Sequence, residues 1–180
     1  MLSEGHYAIS ERTLVDVCRT SGSVVGSALN DIAIARGLTG HAVRLDLSVG
    51  GKIVTRYLAD GLVFATPTGS TAYSLAAGGP VVLPDSPSLV VTPMNPHALG
   101  VRPLVVRDDV RFTVTVRPRT DGNEVQVSVS ADGTNVLTLK TGDSIDVVKS
   151  EKTAKLVELE GYDPYDVLAR KLGWSGACVR

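Results

Sequence analysis

The 180-residue chain is long enough for one domain, or for one domain with a short appendage. Its 18 Lys and Arg residues nearly balance its 19 Asp and Glu residues, which argues against general nucleic-acid binding because that requires a basic surface. The only two cysteines, Cys18 and Cys178, are too few for a disulfide framework or a CxxC metal site, so we expect free thiols.

The first segment of the chain, Met1–Arg12, carries three charged side chains and lacks the apolar centre of a signal peptide. No stretch of the sequence approaches the roughly 20 apolar residues that a membrane span needs. We therefore expect a soluble, cytoplasmic protein that does not contact a membrane.

A polar pair, Asn30-Asp31, interrupts an apolar run between Ala28 and Ile34. Polar groups inside an apolar run are costly unless they are paired. The pair therefore either completes a buried hydrogen-bonding network or faces a ligand, and the sequence leaves both interpretations open.

Most of the remaining chain is patterned as short β-strands. The Gly50-Gly51 pair separates two such runs, and those after residue 120 are separated by Asp121-Gly122, Asp132-Gly133 and Thr141-Gly142-Asp143. These pairs predict β-hairpins, because Asp and Gly tolerate the positive φ of tight turns. The predicted strands include Val43–Val49, Lys52–Leu58, Val110–Val116, Glu124–Ala131, Val136–Leu139 and Ile145–Val148. Their spacing predicts a mostly β fold, a two-sheet β-sandwich of about ten to twelve strands.

The apolar strand Leu62–Ala65 runs into a hydroxyl-rich loop, Thr66-Pro67-Thr68-Gly69-Ser70-Thr71. We expect a short helix to begin near Ser70-Thr71, to be capped by Ser or Thr, and to cover Ala72–Ala77. Backbone N–H groups at a helix start can bind an anion or a ribose, and Tyr73 offers an aromatic face. Alternatively, the hydroxyl groups satisfy the N–H groups of the loop itself, which would make it an ordinary capped helix start.

The roles of Asp60 and of the two serines in this region can each be interpreted in two ways. Asp60, just before the strand, either accepts a hydrogen bond from a ligand or belongs to a turn. A hydrolase using Ser70 or Ser74 is disfavoured, because neither serine lies in a Gly-x-Ser-x-Gly elbow. The candidate bases, His6, His41 and His97, show no recognisable partner spacing.

The C-terminal segment predicts a helix over about Pro164–Leu172, with Asp163 as its N-cap and Gly173 at its end. Its apolar stripe, which runs from Val167 to Trp174, requires a packing partner, either within this chain or on a domain outside it. We expect residues 1–160 to form the sandwich domain, and residues 161–180 to form a helix and tail that pack on a further domain.

Several motifs together resemble NAD kinases. The string from Asp60 to Ser74, which reads DGLVFATPTGSTAYS, resembles their signature, and Ala28–Asp31 resembles their Asn-Glu/Asp motif. Further matches follow in the same order at Pro93–His97, Arg102–Val105, Ala131–Gly133 and Leu168–Trp174. The resemblance covers essentially the whole chain, and its Thr66–Tyr73 part is highly specific to that family.

The resemblance implies an NAD site in a β-sandwich domain. It implies that Asn30 and Asp31 hold nucleoside hydroxyls or base. Thr68 would lie at the adenine side, whereas Asp60 and Thr71–Tyr73 would line the nicotinamide and ribose region. The full set of implied substrate-binding residues is Asn30, Asp31, Asp60, Thr68, Thr71, Ala72, Tyr73, Asn95 and His97.

The resemblance also implies partners and a reaction. The segment Asn95–His97 would approach the ligand of a neighbouring subunit, which makes the expected protein a homo-oligomer, either a dimer or a tetramer. The implied reaction phosphorylates the adenosine ribose 2′-hydroxyl of NAD, giving NADP, with ATP as the co-substrate. No metal site is indicated in this chain, so Mg²⁺ would arrive with ATP.

Two departures from the family pattern matter. The sequence contains no Gly-Gly-Asp-Gly motif, which the resemblance places in an N-terminal α/β domain that supplies the catalytic aspartate. We therefore expect no catalytic residue in this chain, and activity only together with that domain, which a separate chain could carry. Thr134 stands where the family often has Gln.

The alternative function is a catalytically inactive module that binds NAD or NADP. Such a free-standing module would bury the Val167–Trp174 stripe internally.

Overall fold

The computed structural model describes residues 7–37 and 40–174 and confirms the mostly β fold. Within these residues, twelve strands form two antiparallel six-stranded sheets. In spatial order the first sheet contains β2 (Val24–Ala28), β1 (Tyr7–Arg19), β12 (Ser144–Leu159), β9 (Phe112–Arg117), β4 (Val43–Val49) and β5 (Lys52–Ala59). The second contains β11 (Thr134–Lys140), β10 (Gln126–Ala131), β3 (Asp31–Arg36), β6 (Gly61–Ala65), β7 (Ser88–Met94) and β8 (Leu104–Arg107). The helices are α1 (Tyr73–Ala76) and α2 (Pro164–Lys171).

The main hydrophobic core draws side chains from both sheets. In β9 every second residue is buried, as the alternation of the sequence predicts. The rings of Phe64 and Phe112 meet with centroids 5.5 Å apart, which joins β6 of one sheet to β9 of the other. This shared core fixes the position of β6, the strand that leads into the hydroxyl-rich loop.

The hairpins lie where the glycine-containing pairs predict them. Gly50 and Gly51, between β4 and β5, have φ of 56° and 78°. Asp132 and Gly133, between β10 and β11, have φ of 45° and 78°. Two successive residues with positive φ match the right-handed twist of the strands that they join.

Strand β6 is covered on both faces, and all five of its residues are buried. Leu62 and Phe64 belong to the main core, whereas Val63 and Ala65 belong to a second apolar cluster. Asp60 precedes this strand and Thr66 follows it. We name the two places the Asp60 end and the Asp132 end of β6, the second after the hairpin residue that binds there. At about 3.3 Å per residue, the six steps between them span about 20 Å.

Residues 7–37 and 40–174 divide into two compact units, one formed by residues 12–154 and the other by residues 7–11 and 155–174. The second unit contains α2, whose start confirms the predicted cap: the Asp163 carboxylate accepts from the Tyr165 N–H at 2.8 Å. Gly173 has φ of 68° and ends the helix. No residue of α2 is fully buried, and Trp174 is 59% exposed.

No helix in the described part of the chain has the length and apolar character needed to cross a membrane. Cys18 is a buried free thiol. Cys178, His6 and the tail beyond Trp174 lie outside the described residues.

Candidate functional site

The turn between β2 and β3 is held by one carboxylate. Asp132 accepts hydrogen bonds from the N–H groups of Leu29, Asn30 and Asp31 at 2.7, 2.8 and 3.2 Å. In return, the Asp132 N–H donates to the Asp31 carbonyl at 3.0 Å. Three converging N–H groups could otherwise bind an anion. Because Asp132 already fills this position, the turn offers a ligand the side chains of Asn30 and Asp31 rather than its backbone.

The hydroxyl-rich loop packs directly on the same turn. The Thr66 hydroxyl donates to the Leu29 carbonyl at 2.6 Å and accepts from the Gly69 N–H at 3.1 Å. The Thr66 N–H donates to the Asn30 carbonyl at 2.9 Å. A methyl group on Gly69 would lie 1.9 Å from the Asn30 carbonyl oxygen, so only glycine permits this approach. The loop and the turn therefore form one rigid group at the Asp132 end.

The short helix predicted after the loop is confirmed, but its predicted Ser or Thr cap is wrong. Residues Thr68–Thr71 form a 3₁₀ turn, and the α-helix that follows is only four residues long, without a Ser or Thr side-chain cap. The reason lies in Ser70, whose hydroxyl donates to the Pro67 carbonyl at 2.7 Å and accepts from the Val82 N–H at 3.0 Å. This hydroxyl ties the loop to the segment before β7 instead of capping a helix.

The serines of this region are structural. Ser70 and Ser74 are completely buried, and the Ser74 hydroxyl lies 2.8 Å from the Thr92 hydroxyl in β7. Neither hydroxyl has a histidine as its partner among the hydrogen bonds of the described residues. The geometry therefore gives no support to a serine hydrolase.

The Asp60 end of β6 is organised by side chains. The Asp60 carboxylate accepts from the Asn95 amide at 3.0 Å and pairs with the Arg36 guanidinium at 3.2 Å. Arg36 also donates to the Gly40 carbonyl. The segment after Asn95 is attached through the His97 N–H, which donates to the Leu58 carbonyl at 2.9 Å. Asp60 thus lies with Asn95 and His97, at the opposite end of β6 from Thr66.

Some polar side chains at this site remain available to a ligand. Within residues 7–37 and 40–174, five of the predicted side chains have no internal hydrogen bond, namely those of Asn30, Asp31, Thr68, Tyr73 and His97. By contrast, the hydroxyls of Thr66 and Ser70 are fully used inside the protein. The loop therefore combines both interpretations of its sequence: some hydroxyls build it, and others face outward.

The environment of Asp31 alters its acidity. Burial and, to a smaller extent, the nearby Asp132 carboxylate together raise the pKa of the Asp31 carboxyl to about 6. Asp31 can therefore bind a proton close to neutral pH, unlike an ordinary surface aspartate. In the described residues, no three His, Cys, Asp or Glu side chains come together as a metal site.

Comparison with known proteins decides the family. Residues 29–159 match the model of the ATP-NAD kinase C-terminal domain. The chain belongs to the NAD kinase family. It is 43% identical over 171 residues to an NAD kinase of Symbiobacterium thermophilum and 37% identical over 175 residues to one of Acinetobacter baylyi. These alignments cover 93% and 96% of the chain but 59% and 56% of the relatives, so the chain spans less than two thirds of their length.

Solved structures of NAD kinases share the fold. The yeast NADH kinase complexed with NADH superposes with a TM-score of 0.85 at 30% identity, over 94% of this chain and 51% of that one. The NAD kinase of Archaeoglobus fulgidus in complex with ATP superposes with a TM-score of 0.73 at 27% identity, over 93% of this chain and 61% of that one. The motif resemblance to NAD kinases is thereby confirmed. The alternative of an inactive binding module is not favoured, because these relatives are named as kinases.

Two residues of the candidate site were not predicted as such. Asp132 was assigned only to a hairpin and a motif match, and Arg36 had no predicted role. Both act across long distances in sequence: Asp132 binds a turn 103 residues away, and Arg36 pairs with Asp60. No local pattern signals either contact. The one clue in the sequence is the polar pair Asn30-Asp31 inside an apolar run, which requires hydrogen-bonding partners.

Proposed function

We propose that this chain is the dinucleotide-binding part of an NAD kinase, which transfers a phosphate from ATP to the adenosine ribose 2′-hydroxyl of NAD. One observation carries the proposal. The turn and loop at the Asp132 end are held by internal hydrogen bonds, while Asn30, Asp31, Thr68 and Tyr73 keep their polar atoms available. Carboxylate and amide groups suit ribose hydroxyls and base edges, and the half-exposed Tyr73 ring suits stacking.

The distribution of the site supports a ligand with two nucleoside parts. Asn30, Asp31 and Thr68 lie around the Asp132 end, and Asp60 and Asn95 lie about 20 Å away along β6. An extended dinucleotide has polar groups at both ends, whereas a mononucleotide has one nucleoside. As the family resemblance implies, we assign Asn30, Asp31 and Thr68 to one nucleoside, and Asp60, Thr71, Ala72 and Tyr73 to the region of the other. Thr71–Tyr73 directly follow Thr68 in the loop, so their grouping with Asp60 comes from the resemblance and not from the separation of the two ends.

We further propose that two copies of the chain share each site. Asn95 and His97 lie in an exposed segment, and Asn95 is bonded to Asp60. This exposure would let the segment reach the ligand of a second copy in a dimer or tetramer. A mixture of His97→Ala chains and Tyr73→Ala chains tests this arrangement, because the first lack the proposed contact from the neighbouring copy and the second lack the Tyr73 ring of the receiving site. If sites are shared, mixed oligomers regain some intact sites, and NAD binding returns although neither variant binds alone. Failure of the mixture to bind would show that each site lies within one copy.

The chemistry needs groups that this sequence does not contain. Phosphoryl transfer depends mainly on positioning and on clamping of charge, with Mg²⁺ bound to the phosphates. The 180 residues contain no Gly-Gly-Asp-Gly motif. We propose that a domain carrying this motif, in the same protein or on a separate chain, supplies the catalytic aspartate and the ATP site. The apolar stripe of α2 is proposed to pack on that domain.

Calorimetric titration of the chain with NAD tests the proposal. We expect saturable binding that is strongly weakened by Tyr73→Ala and by Asp60→Ala. Asp121→Ala is the matched control, since the Asp121 carboxylate contacts Arg119 and the Asn123 N–H of its own hairpin, and the variant should leave the affinity unchanged. Absence of binding to a chain shown by circular dichroism to be folded would contradict a self-sufficient NAD site. Equal binding by all variants would place the ligand elsewhere.

A further inference from the structure

The β10–β11 hairpin and the Leu29–Asp31 turn are joined by four hydrogen bonds. Three N–H groups of the turn donate to the Asp132 carboxylate, and the Asp132 N–H donates to the Asp31 carbonyl. The carboxylate uses both of its oxygens: Oδ2 for Leu29, and Oδ1 for Asn30 and Asp31. Hydrogen bonds to a charged acceptor are about twice as strong as neutral ones. Asp132 therefore determines the backbone of the two residues that follow Leu29.

The hairpin itself does not require this carboxylate. A residue with φ of 45° is needed at position 132, and glycine or asparagine would meet that requirement. The other Asp-Gly hairpin shows the ordinary case. There, Asp121 accepts from the N–H of Asn123, two residues farther along in the same turn. The reach of Asp132 to another turn is thus an additional function of this side chain.

The arrangement places two carboxyl groups close together. Asp31 is buried, and the Asp132 carboxylate opposes the ionisation of its carboxyl group. This repulsion between the two carboxyl groups lowers stability. The contact between hairpin and turn does not need an acidic side chain at position 31, because it uses only the backbone N–H and carbonyl of Asp31. The side chains of Asn30 and Asp31 make no hydrogen bond inside the described part of the chain. Asp132 therefore fixes the backbone of a turn whose side chains are left for another molecule.

We propose that Asp132 is a positioning residue for dinucleotide recognition, which holds the side chains of Asn30 and Asp31 toward the ligand without binding the ligand itself. The inference rests on the proposed NAD site and deepens it. Small displacements of positioned groups weaken binding strongly, so the carboxylate should matter for affinity although its oxygens are occupied by N–H groups.

Two variants separate the carboxylate from the hairpin. Asp132→Gly retains the positive φ and removes the acceptor. Asp132→Asn retains φ and one acceptor oxygen, and places an NH₂ group against one of the N–H donors. We expect NAD affinity in calorimetry to fall about tenfold or more in Asp132→Gly and by a smaller factor in Asp132→Asn. Asp121→Gly, in the other Asp-Gly hairpin, is the matched control and should leave the affinity unchanged.

A spectroscopic measurement separates positioning from general stability. In NMR spectra, the amide signals of Leu29, Asn30 and Asp31 should lose their hydrogen-bonded shifts in Asp132→Gly, while the signals of β6 stay in place. The NMR titration of the Asp31 carboxyl should move to lower pH in both Asp132 variants, because one cause of its raised pKa is removed. A role limited to hairpin stability would change neither the turn nor this titration.

The outcomes distinguish the inference from the proposed function. If the wild type binds NAD and folded Asp132→Gly binds it within twofold, the positioning role is wrong and the NAD site stands. If Asp132→Gly does not fold, an unchanged affinity in Asp132→Asn overturns the role, and a reduced affinity with the shifted Asp31 titration supports it. If the folded wild type does not bind NAD, the proposed function and the positioning role both fail.

Discussion

The two ends of β6 are built in different ways, although one strand of five buried residues connects them. At the Asp132 end, the contacts are made by backbone groups and by buried side chains such as Thr66 and Ser70. At the Asp60 end, partly exposed side chains contact one another, and the Arg36 and Asp60 side chains are 38% and 22% exposed.

This difference indicates two modes of recognition. Hydrogen bonds of backbone groups to the Asp132 carboxylate and to the buried Thr66 and Ser70 hydroxyls give a rigid site, since breaking the bonds at the buried hydroxyls leaves unsatisfied polar groups. Exposed ion pairs stabilise weakly and can rearrange. We therefore infer that the Asp132 end is formed before ligand binding, and that the Asp60 end adjusts to its ligand or to a second copy of the chain.

Gly69→Ala should produce the largest effect. The added methyl group would lie 1.9 Å from the Asn30 carbonyl oxygen, and backbone on both sides leaves little freedom to move. We expect a loss of about 3 kcal/mol in the free energy of unfolding, measured in urea, together with loss of NAD binding. Gly100→Ala is the control, because a methyl group there meets no atom within 4 Å. Equal stabilities of the two variants would contradict a rigid Asp132 end.

Ser70→Ala should separate stability from ligand binding. It removes a buried hydroxyl that serves the Pro67 and Val82 carbonyls and the Val82 N–H. We expect the free energy of unfolding to fall by about 2 kcal/mol, because the partners of the hydroxyl stay buried. Thr68→Ala removes a hydroxyl with no internal bond, so it should weaken NAD binding and change stability by less than about 0.5 kcal/mol. If Thr68→Ala instead lowered the stability and Ser70→Ala weakened only NAD binding, both assignments would be wrong.

The stability of the Asp132 end should depend on pH through Asp31. Its carboxyl has a pKa of about 6 in the folded protein against 3.8 ordinarily, so the folded state binds more protons between these values. Stability should therefore fall as the pH rises from about 4 to about 6. With allowance for solvent screening, we expect a decrease of about 1 to 2 kcal/mol.

Urea unfolding of Asp31→Asn across this pH range checks the assignment. The variant should lose this decrease, because asparagine does not titrate. Asp121→Asn is the control: the Asn123 N–H lowers the pKa of the Asp121 carboxyl below its ordinary value of 3.8, so this group acts mainly below the range and the variant should keep the decrease. An unchanged profile in Asp31→Asn would assign the effect to another group.

The smallest effect is expected at the Asp60 end. Arg36→Gln removes the guanidinium that lies 3.2 Å from Asp60. Because the pair is partly exposed, the free energy of unfolding should fall by less than about 1 kcal/mol. The difference should shrink further in concentrated salt, which screens exposed charges. Arg107→Gln, which breaks the exposed pair with Asp109, is the matched control. A loss as large as that of Ser70→Ala would remove the contrast between the two ends.

The sequence predicted the parts of this structure that depend on local patterns. Alternation in β9 marks the core-facing residues of that strand, and the Asp132-Gly133 pair marks a tight turn. Asp163 and Gly173 mark the limits of α2. Each of these signals is a property of neighbouring residues, so it can be read without knowing the fold. The Thr66–Tyr73 motif located the loop in the same way.

The remaining features depend on residues far apart in sequence. The Ser70 hydroxyl appeared suited to cap a helix, but it binds Val82 across the loop, and the helix is shortened to four residues. Asp132 meets the local requirement of its hairpin, so nothing nearby indicates that its carboxylate is used at Leu29–Asp31. The pairing of Arg36 with Asp60 follows from β3 lying beside β6. These contacts become visible only when the strand order is known.

The five-residue length of β6 has a consequence for how such a site can change during evolution. One inserted residue would turn every later side chain of the strand to the opposite face, exchanging Val63 and Phe64 between their two clusters. Two inserted residues would restore the faces, but would lengthen the strand by about 7 Å and leave its neighbours β3 and β7 unmatched. A ligand of a different length therefore has to be accommodated in the loops, where insertions are tolerated, and not in the strand between them.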